Sequence, residues 1–96
     1  MTQVTVITPT YNRARELKKL YESLLAQEDK DFKWLIVDDG STDDTQDVVR
    51  EWLNGNQLSM TYINKPNGGK HTALNLGIPQ IDTPWTFIVD SDDYLT

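Results

Sequence analysis

Four short apolar runs divide the chain, with polar and amphipathic segments between them. The runs cover residues 4–7, 34–37, 60–63 and 85–89, are rich in β-branched and aromatic side chains, and are bounded by residues that favour turns. These features predict four β-strands. The second and fourth runs are nearly continuous rather than alternating, which favours central strands of a parallel sheet, covered on both faces.

Two of the intervening segments carry apolar residues at the spacing i, i+3, i+4, i+7 and i+8, which forms one face of an α-helix. The first set is Leu17, Leu20, Tyr21, Leu24 and Leu25, and the second is Thr45, Val48, Val49, Trp52 and Leu53. A third, shorter helix is expected over residues 70–76, with Gly77 ending it. We expect Leu74 and Leu76 of this helix to lie in the core.

Polar residues suited to helix ends flank the first two helices. Asn12 is a good N-cap for the first helix. Ser41 or Thr42 can cap the second, and the two aspartates at 43–44 suit the positive end of its dipole. Residues 54–55, an Asn-Gly pair, can stop that helix.

The order β-α-β-α-β-α-β predicts an α/β protein, a three-layer α/β/α parallel sheet with right-handed crossovers. We expect the strand order 3-2-1-4. In this order the strands stay parallel, but successive strands are added on one side of the first strand up to the third, and the fourth is added on its other side. Ligands of such sheets bind outside the carboxyl ends of the strands, at the point where the order reverses. The polar segments 8–12, 38–41 and 90–93 follow three of the strands there. The sequence therefore predicts a ligand site at this edge.

Length and composition narrow the classes of protein. The 96 residues are enough for one domain, and the absence of cysteine excludes a disulfide framework, a thiolate zinc site and a cysteine nucleophile. A net charge of −6 and a pI near 4.5 disfavour nucleic acid and anionic membrane surfaces as partners, whereas a divalent cation suits this balance. The sequence contains neither an apolar run of about 20 residues nor a signal-peptide pattern, and we expect a cytoplasmic protein.

Two carboxylates, Asp90 and Asp92, follow the fourth strand two residues apart. Hard oxygen ligands on one turn suit Mg²⁺ or Mn²⁺. The alternative is a solvated acidic loop with an Asx-turn. The position directly after an apolar strand brings the two interpretations to about equal weight, and both stay open.

The loops after the first two strands also allow two interpretations each. Of the adjacent Asp38 and Asp39, we expect one to be functional and one structural, because neighbouring side chains point in different directions. The functional one would accept a hydrogen bond from a ring N–H or a ribose hydroxyl, and the alternative role is helix capping. Tyr11 could stack on a base, but residues 8–12 also fit a plain strand-to-helix turn.

The segment 67–70 (NGGK) precedes the third helix. Backbone N–H groups at a helix start, together with Lys70, can cradle a diphosphate. The segment has neither P-loop nor GxGxxG spacing. A glycine-rich turn with a solvated lysine fits it equally well, and the single histidine, His71, is expected at the surface.

Together these segments resemble the N-terminal half of the family 2 glycosyltransferases, which have the GT-A fold. The resemblance covers nearly the whole chain, and its specificity comes from four segments in order at these spacings. They are residues 6–12 (VITPTYN), 36–43 (IVDDGSTD), 67–77 (NGGKHTALNLG) and 90–93 (DSDD).

The resemblance implies roles for individual residues. Asp39 would accept a hydrogen bond from the uracil ring N–H, with Asp38 nearby, and Lys70 would approach the base or the diphosphate. Asp90 would contact the ribose or sugar, and Asp92 would hold the metal that bridges the diphosphate oxygens. The nucleotide-binding set implied in this way is Thr8, Pro9, Tyr11, Asp38, Asp39, Lys70, Asp90 and Ser91.

The resemblance also implies an activity, the transfer of a sugar from a UDP-linked donor to an unknown acceptor, with Mg²⁺ or Mn²⁺ assisting departure of the nucleoside diphosphate. Family members commonly invert the anomeric carbon. The acceptor half and the catalytic base are expected beyond residue 96, so this chain would supply donor and metal binding without transferring sugar. Such a half-sheet would expose an edge and an apolar face, which favours self-association. The full-length enzyme is expected at the inner face of the membrane.

Two other classes of protein share parts of the pattern. Residues 35–39 resemble the acidic strand of a response-regulator receiver, with Asp90 as phosphoacceptor, but a strand–helix unit precedes the acid pair and the downstream lysine strand is missing. A dinucleotide-binding Rossmann domain needs glycines in the first strand-to-helix turn. The turn at 8–12 contains none.

Overall fold

The computed structural model describes residues 4–27, 31–55, 58–68 and 70–89. The third helix is continued by a single 3₁₀ turn, and residues 81–84 connect that turn to the fourth strand. The elements in chain order are β1 (Val4–Thr10), α1 (Ala14–Leu25), β2 (Phe32–Asp38), α2 (Thr45–Gly55), β3 (Ser59–Asn64), α3 (Lys70–Gly77), the 3₁₀ turn Ile78–Gln80 and β4 (Trp85–Ile88).

The four strands form one parallel sheet in the order β3-β2-β1-β4. This confirms the predicted order and alternation. β1 pairs with β2 from Val4 opposite Phe32 to Thr10 opposite Asp38. Because both strands end at the same level, the residues that follow Thr10 and Asp38 begin side by side.

One face of the sheet is covered by α1 and α2. Buried leucines of α1 and Val49 of α2 pack on Val6, Trp34 and Ile36 of the sheet. Tyr21, Trp34 and Trp52 form a parallel aromatic stack across this layer, with the rings of Tyr21 and Trp52 4.1 Å apart. The predicted helical spacings therefore correspond to a real apolar interface.

The other face of the sheet is covered by α3. Ile7, Leu35 and Val37 of the sheet form a second core with Ala73. Gly77 ends α3 against this core, where an added Cβ would lie 2.6 Å from Ile7 Cδ1. The two cores lie on opposite faces, which confirms the three-layer architecture. Leu74 packs against this core as predicted.

Two expectations about burial are wrong. Leu76 is 38% exposed rather than in the core. The fourth strand was expected to be central and covered on both faces, yet in β4 Trp85, Phe87 and Ile88 are 63%, 57% and 53% exposed. The reason is that β4 lies at the edge of the described sheet, where it pairs only with β1. A continuous apolar run indicates a strand that is suited to burial, but its neighbours decide whether it is buried.

Among the described residues, the helices are too short and too polar for any of them to span a bilayer.

Candidate nucleotide site at the carboxyl edge of the sheet

The loops that follow β1, β2 and β3 meet at the carboxyl edge of the sheet. The strand pairing continues one step into the loops, since the Asp39 N–H donates to the Thr10 carbonyl (2.8 Å) and the Lys65 N–H donates to the Asp38 carbonyl (2.9 Å). The predicted convergence is confirmed for the loops after β1 and β2. The segment 90–93, expected at the same edge, lies outside the described residues.

Asp38 is fully buried at the end of β2. Its Oδ1 accepts a hydrogen bond from the Ser41 N–H (2.8 Å), and its Oδ2 accepts one from the Tyr62 hydroxyl on β3. Burial, and then the hydrogen bond and negative charge of Asp38, raise the pKa of Tyr62 well above its usual value. Tyr62 therefore stays protonated and remains a donor, and Asp38 shapes the turn. Its direct contact with a nucleotide stays a prediction.

Asp39 forms the centre of a charged contact between two loops. Its Oδ1 accepts hydrogen bonds from the Lys65 ammonium and from the Gly68 N–H (2.9 Å). The side chains of Lys65 and Asp39 are only 13% and 6% exposed. The ion pair is therefore largely shielded from water, unlike a surface pair.

Gly40 allows the same two loops to approach closely. Its φ of +76° lies in the left-handed region. A Cβ at this position would lie 2.7 Å from the Asn67 backbone nitrogen. Any other L-residue would strain the turn and push the β3–α3 loop away from Asp39.

Asn12 ties the loop after β1 to the loop after β2. Its side-chain Oδ1 accepts hydrogen bonds from the backbone N–H groups of Thr42 (2.7 Å) and Asp43 (3.2 Å), and its own N–H donates to Ser41 Oγ (2.9 Å). The prediction that Asn12 caps the first helix is wrong, because Arg13 is the N-cap residue and Asn12 has a φ of +51°. In that conformation its side chain is directed across to the neighbouring loop.

Asp43 serves the starts of both helices. Its Oδ1 accepts hydrogen bonds from the N–H (3.0 Å) and hydroxyl (2.5 Å) of Thr45, and its Oδ2 accepts one from the Ala14 N–H (3.3 Å). Partial burial acts to raise the pKa of Asp43, but these hydrogen bonds together outweigh it and hold the pKa below its usual value. The prediction that Ser41 or Thr42 caps the second helix is wrong, since Ser41 and Thr42 are engaged with Asn12 instead.

The residues at the end of β1 differ in exposure. Thr8 is fully buried, and its Oγ1 accepts a hydrogen bond from the Trp34 indole N–H (2.9 Å). Pro9 is buried in the strand, while Tyr11 is 44% exposed beside the edge. The buried Thr10 Oγ1 has no hydrogen-bond partner among the described residues. Contact of Thr8, Pro9 and Tyr11 with a nucleotide stays a prediction.

The remaining predicted site residues lie wholly or partly outside the described part of the chain. Lys70 begins α3, which places its backbone beside the β3–α3 loop, but its side chain is outside the part of the chain that the structure describes. Asp90, Ser91 and the predicted metal ligand Asp92 lie outside the described residues. Within the described ranges, no group of three histidine or acidic residues is arranged to hold a metal ion.

Sequence reasoning missed two residues of this edge, Tyr62 and Lys65. In the sequence Tyr62 is part of an apolar run, which gives no sign of its hydrogen bond to Asp38. Lys65 directly follows β3, and β3 lies beside β2 in the predicted strand order. That adjacency was the signal that could have placed Lys65 near Asp39.

The chemistry of the described side of this edge suits a flat, hydrogen-bonding ring. It offers a carboxylate acceptor in Asp39 and a half-exposed aromatic ring in Tyr11. The loops that carry these two residues are joined by the hydrogen bonds of Asn12 and Asp43. A nucleobase has both the aromatic face and the ring N–H that these groups would bind.

Comparisons with known proteins agree with this description. Residues 5–96 match the sequence model described as glycosyl transferase family 2. The chain is 33% identical over 97 residues to the poly(ribitol-phosphate) β-N-acetylglucosaminyltransferase TarS of Staphylococcus aureus, covering 99% of this chain and 17% of TarS. The chain thus spans about one sixth of the length of that relative.

Two solved structures are similar over 96% of this chain. The S. aureus TarS fragment 1–349 in complex with UDP superposes with a TM-score of 0.86 at 32% identity, and 28% of that chain is covered. The mannosyltransferase PcManGT of Pyrobaculum calidifontis, in complex with GDP-Man and Mn²⁺, gives a TM-score of 0.88 at 30% identity, again with 28% covered. Both neighbours are glycosyltransferases, which confirms the predicted GT-A fold.

Proposed function

This chain belongs to glycosyl transferase family 2, and we propose that it forms the donor-binding part of a glycosyltransferase that takes its sugar from a UDP-linked donor. The activity of the whole protein is a proposal because the chain spans only a minor part of its relatives. The observation that carries the proposal is the placement of Asp39 at the carboxyl edge of the sheet, where the loops after β1, β2 and β3 meet.

Uracil is the base that this site suits. Its ring offers one N–H between two carbonyls, and an ionised carboxylate is an acceptor only. Asp39 would accept that N–H, and Tyr11 would pack on the ring. Binding of UDP by the TarS fragment supports this choice, although guanine also has a ring N–H and PcManGT binds GDP-Man.

The proposed reaction breaks the bond between the anomeric carbon and the diphosphate and forms one to an acceptor oxygen, with inversion. The catalytic base and the acceptor site are expected outside this chain. Asp92 would hold Mg²⁺ or Mn²⁺, whose charge would favour departure of the nucleoside diphosphate. We propose a polymer of the cell envelope as the acceptor, since TarS is named for a poly(ribitol-phosphate). A cytoplasmic location, peripheral to the membrane in the whole protein, also stays a proposal.

The family match favours this proposal over a receiver module. The receiver alternative requires an acyl-phosphate on Asp90, which lies outside the described residues. Treating the chain with a small phosphodonor tests it, and an acyl-phosphate on Asp90 would contradict the transferase proposal.

Calorimetric titration with UDP, GDP and dTDP, each with and without Mn²⁺, tests the proposed function. We expect binding of UDP that is strengthened by Mn²⁺, and an Asp92→Ala variant that loses the effect of the metal. Asp39→Asn should weaken UDP binding by between about tenfold and about 150-fold, since hydrogen bonds to a charged group contribute about 1.5–3 kcal/mol.

Asp44→Asn is the matched control for Asp39→Asn. Asp44 lies on the same loop and is exposed, and its side chain makes no hydrogen bond within the described residues. We expect it to bind UDP like the unchanged chain. If neither the unchanged chain nor the control binds any of the three nucleotides, the proposed function is wrong.

A further inference from the structure

We propose that Lys65 is a positioning residue for base recognition: by holding Asp39 ionised and in place, it makes the site select a base with a ring N–H over one with a ring acceptor. This inference rests on the proposed function. It adds a specificity role for a residue that lies outside the four family segments.

Lys65 is held to Asp39 through its side chain and to the end of β2 through its backbone. The ammonium donates to Asp39 Oδ1 and to the carbonyl of its neighbour Pro66. The Lys65 N–H donates to the Asp38 carbonyl, which fixes the backbone from which the side chain extends. The Gly68 N–H reaches the same Asp39 Oδ1, so two donors from one loop orient the carboxylate.

Because the ion pair is shielded from water, the charge of Lys65 acts more strongly on the carboxylate of Asp39 than it would at the surface. Asp39 is 6% exposed on its side chain, and a bound base would remove the remaining contact with water. Removing a carboxylate from water disfavours its charged form unless an opposite charge lies close. Lys65 supplies such a charge at Asp39 Oδ1, and it therefore favours the acceptor form of Asp39 while a base lies over it.

An acceptor at this position discriminates between bases. Uracil presents an N–H at ring position 3, whereas neutral cytosine presents a lone pair there. An ionised Asp39 attracts the first and repels the second, and a carboxylate that has taken up a proton would donate to the second. The charge of Lys65 thus sets which pyrimidine the site prefers.

The test compares UDP with CDP, both at saturating Mn²⁺, by calorimetry. We expect Lys65→Met to weaken UDP about tenfold while changing CDP by less than about twofold, so that the preference for UDP narrows by about fivefold or more. Lys65→Arg keeps the charge and the donors, and it should retain most of the preference. Lys33→Met is the control, because Lys33 forms an exposed ion pair with Asp82.

The outcomes are separable. If the unchanged chain does not bind UDP, the proposed function fails. If it binds UDP but Lys65→Met weakens UDP and CDP equally, the lysine acts on the shared diphosphate and the inference is overturned. An unchanged UDP-to-CDP ratio in a Lys65→Met variant that melts like the parent would overturn it as well. The inference would also be overturned if Lys65→Arg narrowed the preference for UDP over CDP as much as Lys65→Met does.

Discussion

Replacing Asp43 by alanine tests the way in which the loops of this edge are held. The Asp43 carboxylate binds the start of α2 through two hydrogen bonds from Thr45 and the start of α1 through the Ala14 N–H. Asp43→Ala removes all three at once. We expect the variant to fold and to be less stable than the parent.

The magnitude follows from these contacts. Loss of an N-cap side chain costs about 1 kcal/mol. The longer hydrogen bond from Ala14, at 3.3 Å and partly exposed, adds about 0.5–1 kcal/mol. The total of about 1.5–2 kcal/mol corresponds to a fall in Tm of about 6–16 °C for a domain of this size.

The assay is urea unfolding followed by circular dichroism at pH 7, with Asp44→Ala as the matched control. Asp44 is the next residue on the same turn and has the same charge near the α2 start, so the comparison removes the shared effect of the helix dipole. We expect the control to change the free energy of unfolding by less than about 0.5 kcal/mol.

The effect depends on pH in a defined direction. The folded state lowers the pKa of Asp43, so its contribution is present above the usual aspartate value and is lost as the pH falls through the folded value. The difference in stability between the parent and Asp43→Ala should therefore shrink between about pH 5 and pH 3. Equal losses for Asp43→Ala and Asp44→Ala at pH 7 would refute this reasoning, and so would a difference that grows as the pH falls.

The remaining predictions concern the close loop contact and the core. Gly40→Ala should destabilise the chain by more than about 1 kcal/mol and weaken UDP binding, because the left-handed turn and the approach of Asn67 both exclude a Cβ. Gly55→Ala is the control, since an added Cβ there meets nothing within 4 Å. We expect this control to be close to neutral both in thermal melting and in calorimetry with UDP. Trp34→Phe should cost about 2–4 kcal/mol in urea unfolding, since it leaves a cavity and the buried Thr8 hydroxyl loses its donor. A Trp34→Phe loss below about 1 kcal/mol would show that the core closes around the smaller ring.

The elements themselves were predictable because their signals are local. The helical spacing of Leu17, Leu20 and Leu24 and the β-branched runs identify α1 and the strands without tertiary information. The strand order also followed from the alternation of strands and helices. Strand bounds were less accurate, since β1 runs to Thr10 and includes Pro9, which the sequence assigned to the following turn.

The candidate site was predictable as a location but not as a set of contacts. The sequence placed Asp38 and Asp39 at the correct edge and expected their side chains to differ in role. It could not assign the roles, because these depend on Tyr62 and Lys65, which lie 24 and 26 residues further along the chain. The cap predictions failed for the same reason, since Asn12 bonds to a loop 30 residues away.

The sequence by itself determined the alternation of strands and helices, the parallel sheet and the edge where the polar segments gather. Those properties arise from periodicity and from turn residues, which act over a few positions. Only the tertiary structure decided that Lys65 neutralises Asp39, that Asn12 joins two loops, and that β4 is exposed. Each of these depends on which distant segments are neighbours in space, and hydrogen bonds and burial act through that proximity.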